Sequence, residues 1–296
     1  MIARIGRAAL PGAVARTLPR LAVALLLAAG NVAAQEASDE PRRALRLCED
    51  PNNLPFSNQA GEGFENRIGA LLGQALNLPV EHFYYPQRVN FVRNTLRYKL
   101  PGDAEHRCDL MLGVPAGFDQ VATTRPYYRS TYALVYVQGR KLSVRSIDAL
   151  LALDRDARAE LRIGVFDRSP ASEWLVRHGL IEQGKPYRIL NADPASTPGQ
   201  IVERDLLQGV IDAAIVWGPI AGFFAKRMQD PGLVVIPMES EPGVRFDFAM
   251  AMGVRHGEPE WKARIQAALD ERAPAIEEVL REYGVPLLDE SGNVRR

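Results

Sequence analysis

The alternation of apolar and polar residues predicts an ordered series of strands and helices beginning near residue 44. Ala44-Leu-Arg-Leu-Cys48 alternates with a period of two and predicts a strand over 44–48. The turn-forming string Asp50-Pro-Asn-Asn-Leu-Pro-Phe-Ser57 ends it. Phe64, Ile68, Leu71, Leu72, Ala75 and Leu76 recur at helical spacing, which predicts a helix over 63–76. A strand follows over 79–85, then a helix over 88–99 with Phe91, Val92, Thr95 and Leu96 on one side. The apolar run over 108–114 reads as a buried strand, and 115–118 as the loop at its carboxyl end. This β-α-β-α-β order is the pattern of an open parallel sheet with right-handed crossovers.

The pattern then repeats. Strands are predicted over 131–137, 161–166, 187–191, 212–217, 233–238 and 247–254. Helices are predicted over 146–153, 171–178, 198–209 and 220–228, with Pro198 at the first position of its helix. A long closing helix carries Trp261, Ile265, Ala268, Leu269, Ile276, Val279 and Leu280, and Pro274 should kink or break it. The fold class is therefore α/β, with two lobes joined by two extended crossover strands. Lobe 1 takes residues 44–137 and 240–296, and lobe 2 takes 138–239. A ligand would enter the cleft between them, at the carboxyl ends of the strands.

The first 34 residues carry Arg4, Arg7, Arg16 and Arg20, no acidic residue, a short apolar run over 21–29 and Val32-Ala33-Ala34. That is the design of a secretory signal peptide cut after Ala34, with a polar lead over 35–43. The apolar run is too short to span a bilayer, which takes ~20 residues. The mature chain is expected to be exported to the periplasm. Its charge changes little: 36 basic and 36 acidic residues become 32 and 36. Such a balance argues against nucleic-acid binding and a polybasic membrane anchor.

Several ordered strings resemble the two-lobed periplasmic solute-binding proteins of importers. They are Leu45-Arg-Leu, Pro55-Phe-Ser57, Gly63-Phe-Glu-Asn66, Cys108-Asp-Leu-Met111 with Gly113, Thr124-Arg-Pro-Tyr-Tyr128, Arg162-Ile-Gly-Val165 and Gly209-Val-Ile-Asp-Ala-Ala214. The resemblance implies the type II binding-protein fold. In the amino-acid receptors of that class, an Arg about nine residues before the Pro-Tyr motif clamps the ligand carboxylate, and an Asp in the second lobe takes the ammonium. Those positions here are Gly117 and Trp217, so a free amino acid is not the expected ligand.

Longer strings point more narrowly. Cys48-Glu-Asp-Pro-Asn-Asn-Leu-Pro-Phe-Ser-Asn58, Gly63-Phe-Glu-Asn-Arg67, Gln87-Arg88, Phe91-Val-Arg-Asn94, Arg107-Cys-Asp109, Gly113-Val-Pro115 and Arg125-Pro-Tyr-Tyr-Arg-Ser-Thr-Tyr132 resemble the MoxJ/XoxJ family, leaning to its XoxJ branch. The resemblance implies a partner: a pyrroloquinoline-quinone (PQQ)-dependent methanol dehydrogenase requiring calcium or a lanthanide, together with its cytochrome c. It implies binding, with a role in maturation or activation of the dehydrogenase, and no catalytic residues or cofactor of the chain's own. A receptor delivering a small polar solute to an importer is the other function compatible with the layout.

The cleft candidates are Phe56, Tyr127, Tyr128 and Trp217 as aromatic surfaces, with Arg88, Arg125 and Arg129 as anion or rim contacts. Trp217, at a strand end, is either a core residue or a stacking surface. Arg168 and Ser169 precede a helix and could form an anion site there, the alternative for Ser169 being a helix cap. Asp50, Asn52 and Asn53 fail the calcium-loop spacing and read as a turn. His82, His106, His178 and His256 show no metal-ligand spacing, and the Gly-x-Ser-x-Gly and Ser-x-x-Lys nucleophile patterns are absent. Cys48 and Cys108 are candidates for a disulfide in an oxidising compartment. Aligning the ends of the first and third strands, however, places them ~13 Å apart, beyond the ~7 Å limit. A bulge or another register would bring them together.

Overall fold

The computed structural model describes residues 42–87, 90–188 and 196–295. The leader over 1–34, nearly all of the polar lead, and Arg88 lie outside the described residues. Strand β1 (Leu45–Glu49) is followed by a small hairpin, β2 (Asn52–Asn53) and β3 (Ser57–Asn58), and by helix α1 (Phe64–Leu76). Strand β4 (Val80–Tyr84), a single helical turn α2 (Phe91–Asn94), β5 (Leu110–Pro115) and β6 (Ala122–Thr123) lead to the long strand β7 (Tyr128–Val137). Helices α3 (Ile147–Leu151) and α4 (Arg155–Ala159), strand β8 (Ile163–Phe166), helix α5 (Pro170–Arg177) and strand β9 (Gly184–Tyr187) follow. A π-helical segment at Ile201–Leu206 precedes β10 (Ala213–Trp217), α6 (Gly218–Arg227), β11 (Leu233–Pro237), β12 (Asp247–Val254) and α7 (Pro259–Glu282). Among the described residues no helix is long and apolar enough to cross a membrane.

The chain has the two-lobed α/β architecture of the type II periplasmic binding proteins. The strand order is β4-β1-β5-β12-β7-β10-β8-β9, with β11 on β7 and β6 on β12. Each lobe keeps a parallel trio, β4-β1-β5 in one and β10-β8-β9 in the other. Strand β7 passes between the lobes. Its first residues pair with β12, as Thr131 with Asp247, and its remainder pairs with β10 and β11, as Tyr132 with Trp217. The second crossing lies where the chain runs from β11 to β12, held to β7 by Met238 N–H to the Tyr132 carbonyl and Tyr132 N–H to the Phe246 carbonyl.

Each sheet has an apolar layer on both faces. In the first lobe, Leu45, Leu47, Leu110 and Met252 pack under Phe64, Ile68 and Leu72 of α1 and Trp261, Ile265 and Leu269 of α7. The i, i+4, i+8 spacing of the α1 trio makes one buried stripe. Leu47 fills the space that a side chain at Gly69 would need, so α1 lies close on β1. Cys48, Phe91, Leu96, Cys108 and Met111 cover the other face. In the second lobe the two layers form around Trp174 and Phe246 on one side and around Ile201, Val216 and Phe224 on the other.

Some sequence expectations change. Among the described residues the helix expected over 88–99 is only the turn α2, because Thr95 leaves helical geometry and its hydroxyl donates to the Phe91 carbonyl at 2.6 Å. The strand expected over 187–191 is met at its first residue by β9, whose register against β8 ends with Phe166 beside Tyr187, and residues 189–191 lie outside the described residues. Helix α7 runs unbroken through Pro274. That proline is on the exposed face, where water can take the carbonyl its ring leaves unpaired.

The disulfide, left open by the sequence, is formed. Cys48 and Cys108 are bonded, with Cα atoms 5.3 Å apart. The expected separation presumed that the third strand runs straight back to residue 108, whereas β5 begins at Leu110 and the chain bends at Arg107 and Asp109. A buried ion network holds the bend. Asp109 accepts from Arg46 at 2.7 Å and from Arg255 at 2.7 Å, and Arg255 also donates to the carbonyls of Leu96 and Cys108. Cys108 is thereby folded back over Cys48.

Candidate functional site

The site lies where the carboxyl ends of the strands of both lobes meet, the location expected for an open α/β sheet. Phe56 comes from the loop after β1, Tyr128 from the first position of β7 with Tyr127 just before it, and Trp217 from the last position of β10. Phe56, Trp217 and Tyr283 are each half-buried and pack against apolar layers of both lobes. Phe56 meets Phe64 edge-on at 5.4 Å, and Tyr283 lies against Phe64 at 5.9 Å and stacks on Phe223 at 5.7 Å. Trp217 packs edge-on against Tyr132 at 5.5 Å and Phe248 at 5.9 Å. An aromatic seam therefore runs across the lobe boundary, and Trp217 serves at once as core and as interface.

Beneath the seam is a polar group that the sequence pattern did not single out. Glu65, in the first turn of α1, is 8% exposed. Its carboxyl has no hydrogen-bond or ion-pair partner among the described residues, and capping of α1 is done by Asn66, whose side chain accepts from Gly63 N–H. Gly113, at the end of β5, has φ of +63°, and a Cβ there would collide with Glu65 Oε1. Glycine is needed twice over, for the left-handed backbone and for the room. Burial pushes the Glu65 carboxyl up to about 8, helped by the nearby carboxylates of Glu49 and Asp50.

Tyr127 and Tyr128 belong to the same group. Their rings meet edge-on at 4.8 Å. Both hydroxyls are buried without a hydrogen bond. The Trp217 indole approaches the Tyr128 hydroxyl, and the Gly113 backbone that of Tyr127, neither in bonding geometry. Burial raises both phenols well above their ordinary pKa, and the electrostatic influence of Glu65 reaches both. Three polar groups thus converge with no mutual satisfaction, an arrangement that buried polar groups ordinarily avoid.

The arginines are placed differently from the aromatics. Arg125 is exposed and pairs with Asp270 at 2.6 Å, which holds that carboxylate below its usual range. Arg129 pairs with Asp247, which also accepts from the Ser240 hydroxyl at 2.5 Å. Burial pushes the Asp247 pKa up, but these bonds outweigh it and leave it low. Arg129 thus ties β7 to β12 at the crossing. Arg168 is exposed with φ of +56° before α5. The Ser169 hydroxyl donates to the Phe166 carbonyl at 2.6 Å and does not cap the helix, so the cap expected of it is not made.

The remaining polar candidates have local partners. Asp50 accepts from the backbone N–H of Asn52 at 2.8 Å and of Gln87, forming the turn its sequence predicts. His82 lies 2.5 Å from the buried Glu49, and that hydrogen bond raises its pKa. His178 faces Glu241 and His256 faces the Asp119 carbonyl. Among the described residues no cluster of three or more His, Cys, Asp or Glu could hold a metal. A cavity of about 460 Å³ opens elsewhere, at the edge of β4, lined by Arg46, Glu81, His82, Asp103 and His106 among others. None of the predicted cleft residues among the described residues lines it.

No family model matches the chain. It is similar to XoxJ, a periplasmic binding protein from Methylobacterium extorquens AM1 of known crystal structure, at 35% identity and a TM-score of 0.66, covering 83% of this chain and 100% of that one. It is 28% identical over 259 residues to protein MoxJ of Paracoccus denitrificans, covering 83% of this chain and 90% of the relative. To protein MoxJ of Methylorubrum extorquens it is 26% identical over 270 residues, covering 86% and 85%.

Proposed function

The chain belongs to the MoxJ/XoxJ family, and from that premise we propose that it is a periplasmic accessory protein of a PQQ-dependent alcohol dehydrogenase, acting by binding. The observation that carries this is where the family's strings converge. The loop over 48–58, the start of α1 at Phe64 and Glu65, the end of β5 at Gly113 and the Tyr127-Tyr128 pair all meet at the lobe boundary. The likeness to XoxJ runs the full length of that protein. The dehydrogenase docks at this boundary, with Phe56 and Trp217 at the centre of the contact. Aromatics so placed dominate interface energetics, and near-neutral polar contacts surround them. Docking there reads the relative position of the lobes, because Phe56, Trp217 and Tyr283 touch both.

Affinity capture from the periplasm of alcohol-grown cells tests the proposal. The expected result is enrichment of a quinoprotein dehydrogenase, identified by mass spectrometry and by its quinone absorbance. Recovery of an importer permease instead, with no dehydrogenase, would favour the transport receptor.

A further inference from the structure

We propose that Glu65, with Tyr127, Tyr128 and Trp217 around it, forms a receptor for the ammonium group of a small amine that carries no carboxylate. The inference goes beyond the docking function and does not rest on it. Two tyrosine hydroxyls are buried without a hydrogen bond, and the carboxyl of Glu65, a residue only 8% exposed, bears electrostatically on both. A primary ammonium presents three N–H donors and no acceptor. The walls are aromatic: Tyr127, Tyr128 and Trp217, with Phe64 edge-on to Tyr128 at 6.4 Å. Aromatic faces attract a desolvated cation.

Charge excludes the other ligand classes. The carboxylates bearing on Glu65 are Glu49 of β1 and Asp50 just after it, the titratable groups from β7 and its approach are Tyr127 and Tyr128, and among the described residues no cation pairs with Glu65. An anion would be repelled. The arginines that could have welcomed a carboxylate, Arg125 and Arg129, are paired with Asp270 and Asp247. A hard metal ion would require six or more oxygen ligands, and one carboxyl with two phenols does not supply them. Burial at 8% exposure selects a small free amine over a lysine on a folded surface.

The titration of Glu65 gives the site a signature. Empty, its carboxyl is held neutral at pH 7 by burial. An ammonium binds the carboxylate, so binding expels a proton below about pH 8. For an amine that stays charged, affinity should rise ~25-fold between pH 6.5 and 8.5. Calorimetry on the secreted protein with methylamine, ethylamine and propylamine tests this, with 1-propanol, propionate and tetramethylammonium as controls. We expect saturable binding of a primary amine at millimolar concentration or tighter and none of propanol or propionate. We also expect proton release seen across buffers of different ionisation enthalpy. Glu65→Gln should weaken binding at least tenfold and abolish the proton release. Tyr127→Phe should weaken it several-fold without lowering the melting temperature, and it carries the test if Glu65→Gln does not fold. The proposal is overturned if no amine saturates, if propanol binds as well, if affinity is flat with pH, or if Glu65 affects only the dehydrogenase.

Discussion

Gly113 and Glu65 form a matched pair, since the carboxyl of one occupies the side-chain space of the other. Gly113→Ala should therefore cost about 1–3 kcal/mol, combining the strain of a positive φ with the displacement of a buried group. Urea unfolding of the variant measures it. The raised pKa of Glu65 has its own consequence. The folded state holds a proton that the unfolded chain releases at an ordinary carboxyl pKa, so the contribution of this group to stability is fully present in acid and is lost as pH rises through about 8. His82, also raised, contributes a fall of the same sign as pH passes its folded pKa, but it is present in both proteins of the comparison. Between about pH 5 and about pH 9 the wild type should lose stability relative to Glu65→Gln, and equal slopes would contradict the burial of an unpaired carboxyl. The aromatics of this site were legible in the sequence as large rings near strand ends. Glu65 was not, because an acid in the first turn of a helix is ordinarily a solvated or dipole-facing residue. Only the distant Gly113 shows that it is enclosed.

At the scale of elements, the Asp109 network decides the path of the chain. It joins β1 through Arg46, the end of β12 through Arg255, and the start of α7 through Trp261, whose indole donates to the Asp109 carbonyl at 3.2 Å. Removing one partner of a buried ion pair leaves an uncompensated charge, so Asp109→Ala should destabilise by about 3–5 kcal/mol. The Cys48–Cys108 bond closes a loop with a sequence separation of 60. Its reduction should cost about 4 kcal/mol by loop entropy, measured as a shift in urea midpoint with and without reductant. Helix and strand positions were legible wherever periodicity was strong, as in α1, β10 and β12. The bend at 107–109 was not, since it is set by charges from Arg46 and Arg255, far away in sequence. The apolar spacing of Phe91, Val92 and Leu96 was equally satisfied by one turn and an irregular chain, which is why α2 is short. That α7 continues through Pro274 was not legible for a different reason: the pattern gives its face, but not that the face is wet.

For the whole molecule, the β-α-β order read along the chain was sufficient to give two α/β lobes and a boundary between them. The roles of the arginines were not recoverable, because pairing with Asp247 or Asp270 brings together residues more than a hundred positions apart. With Gly117 exposed and no side chain of its own, and Trp217 packed into the seam, common amino acids should not bind. A calorimetric panel checks this, and one micromolar ligand, about −8 kcal/mol, would reverse it. The central claim is that the lobe boundary is the docking surface for a quinoprotein dehydrogenase. It is tested most directly by titrating the purified dehydrogenase with the mature protein and with its Trp217→Ala variant, following the melting temperature of each. The account predicts micromolar or tighter binding, and a loss of about 2 kcal/mol in the variant, which stays folded with a lowered melting temperature because Trp217 is also partly core. Undiminished affinity in a folded Trp217→Ala protein, or no binding by the wild type, would contradict it.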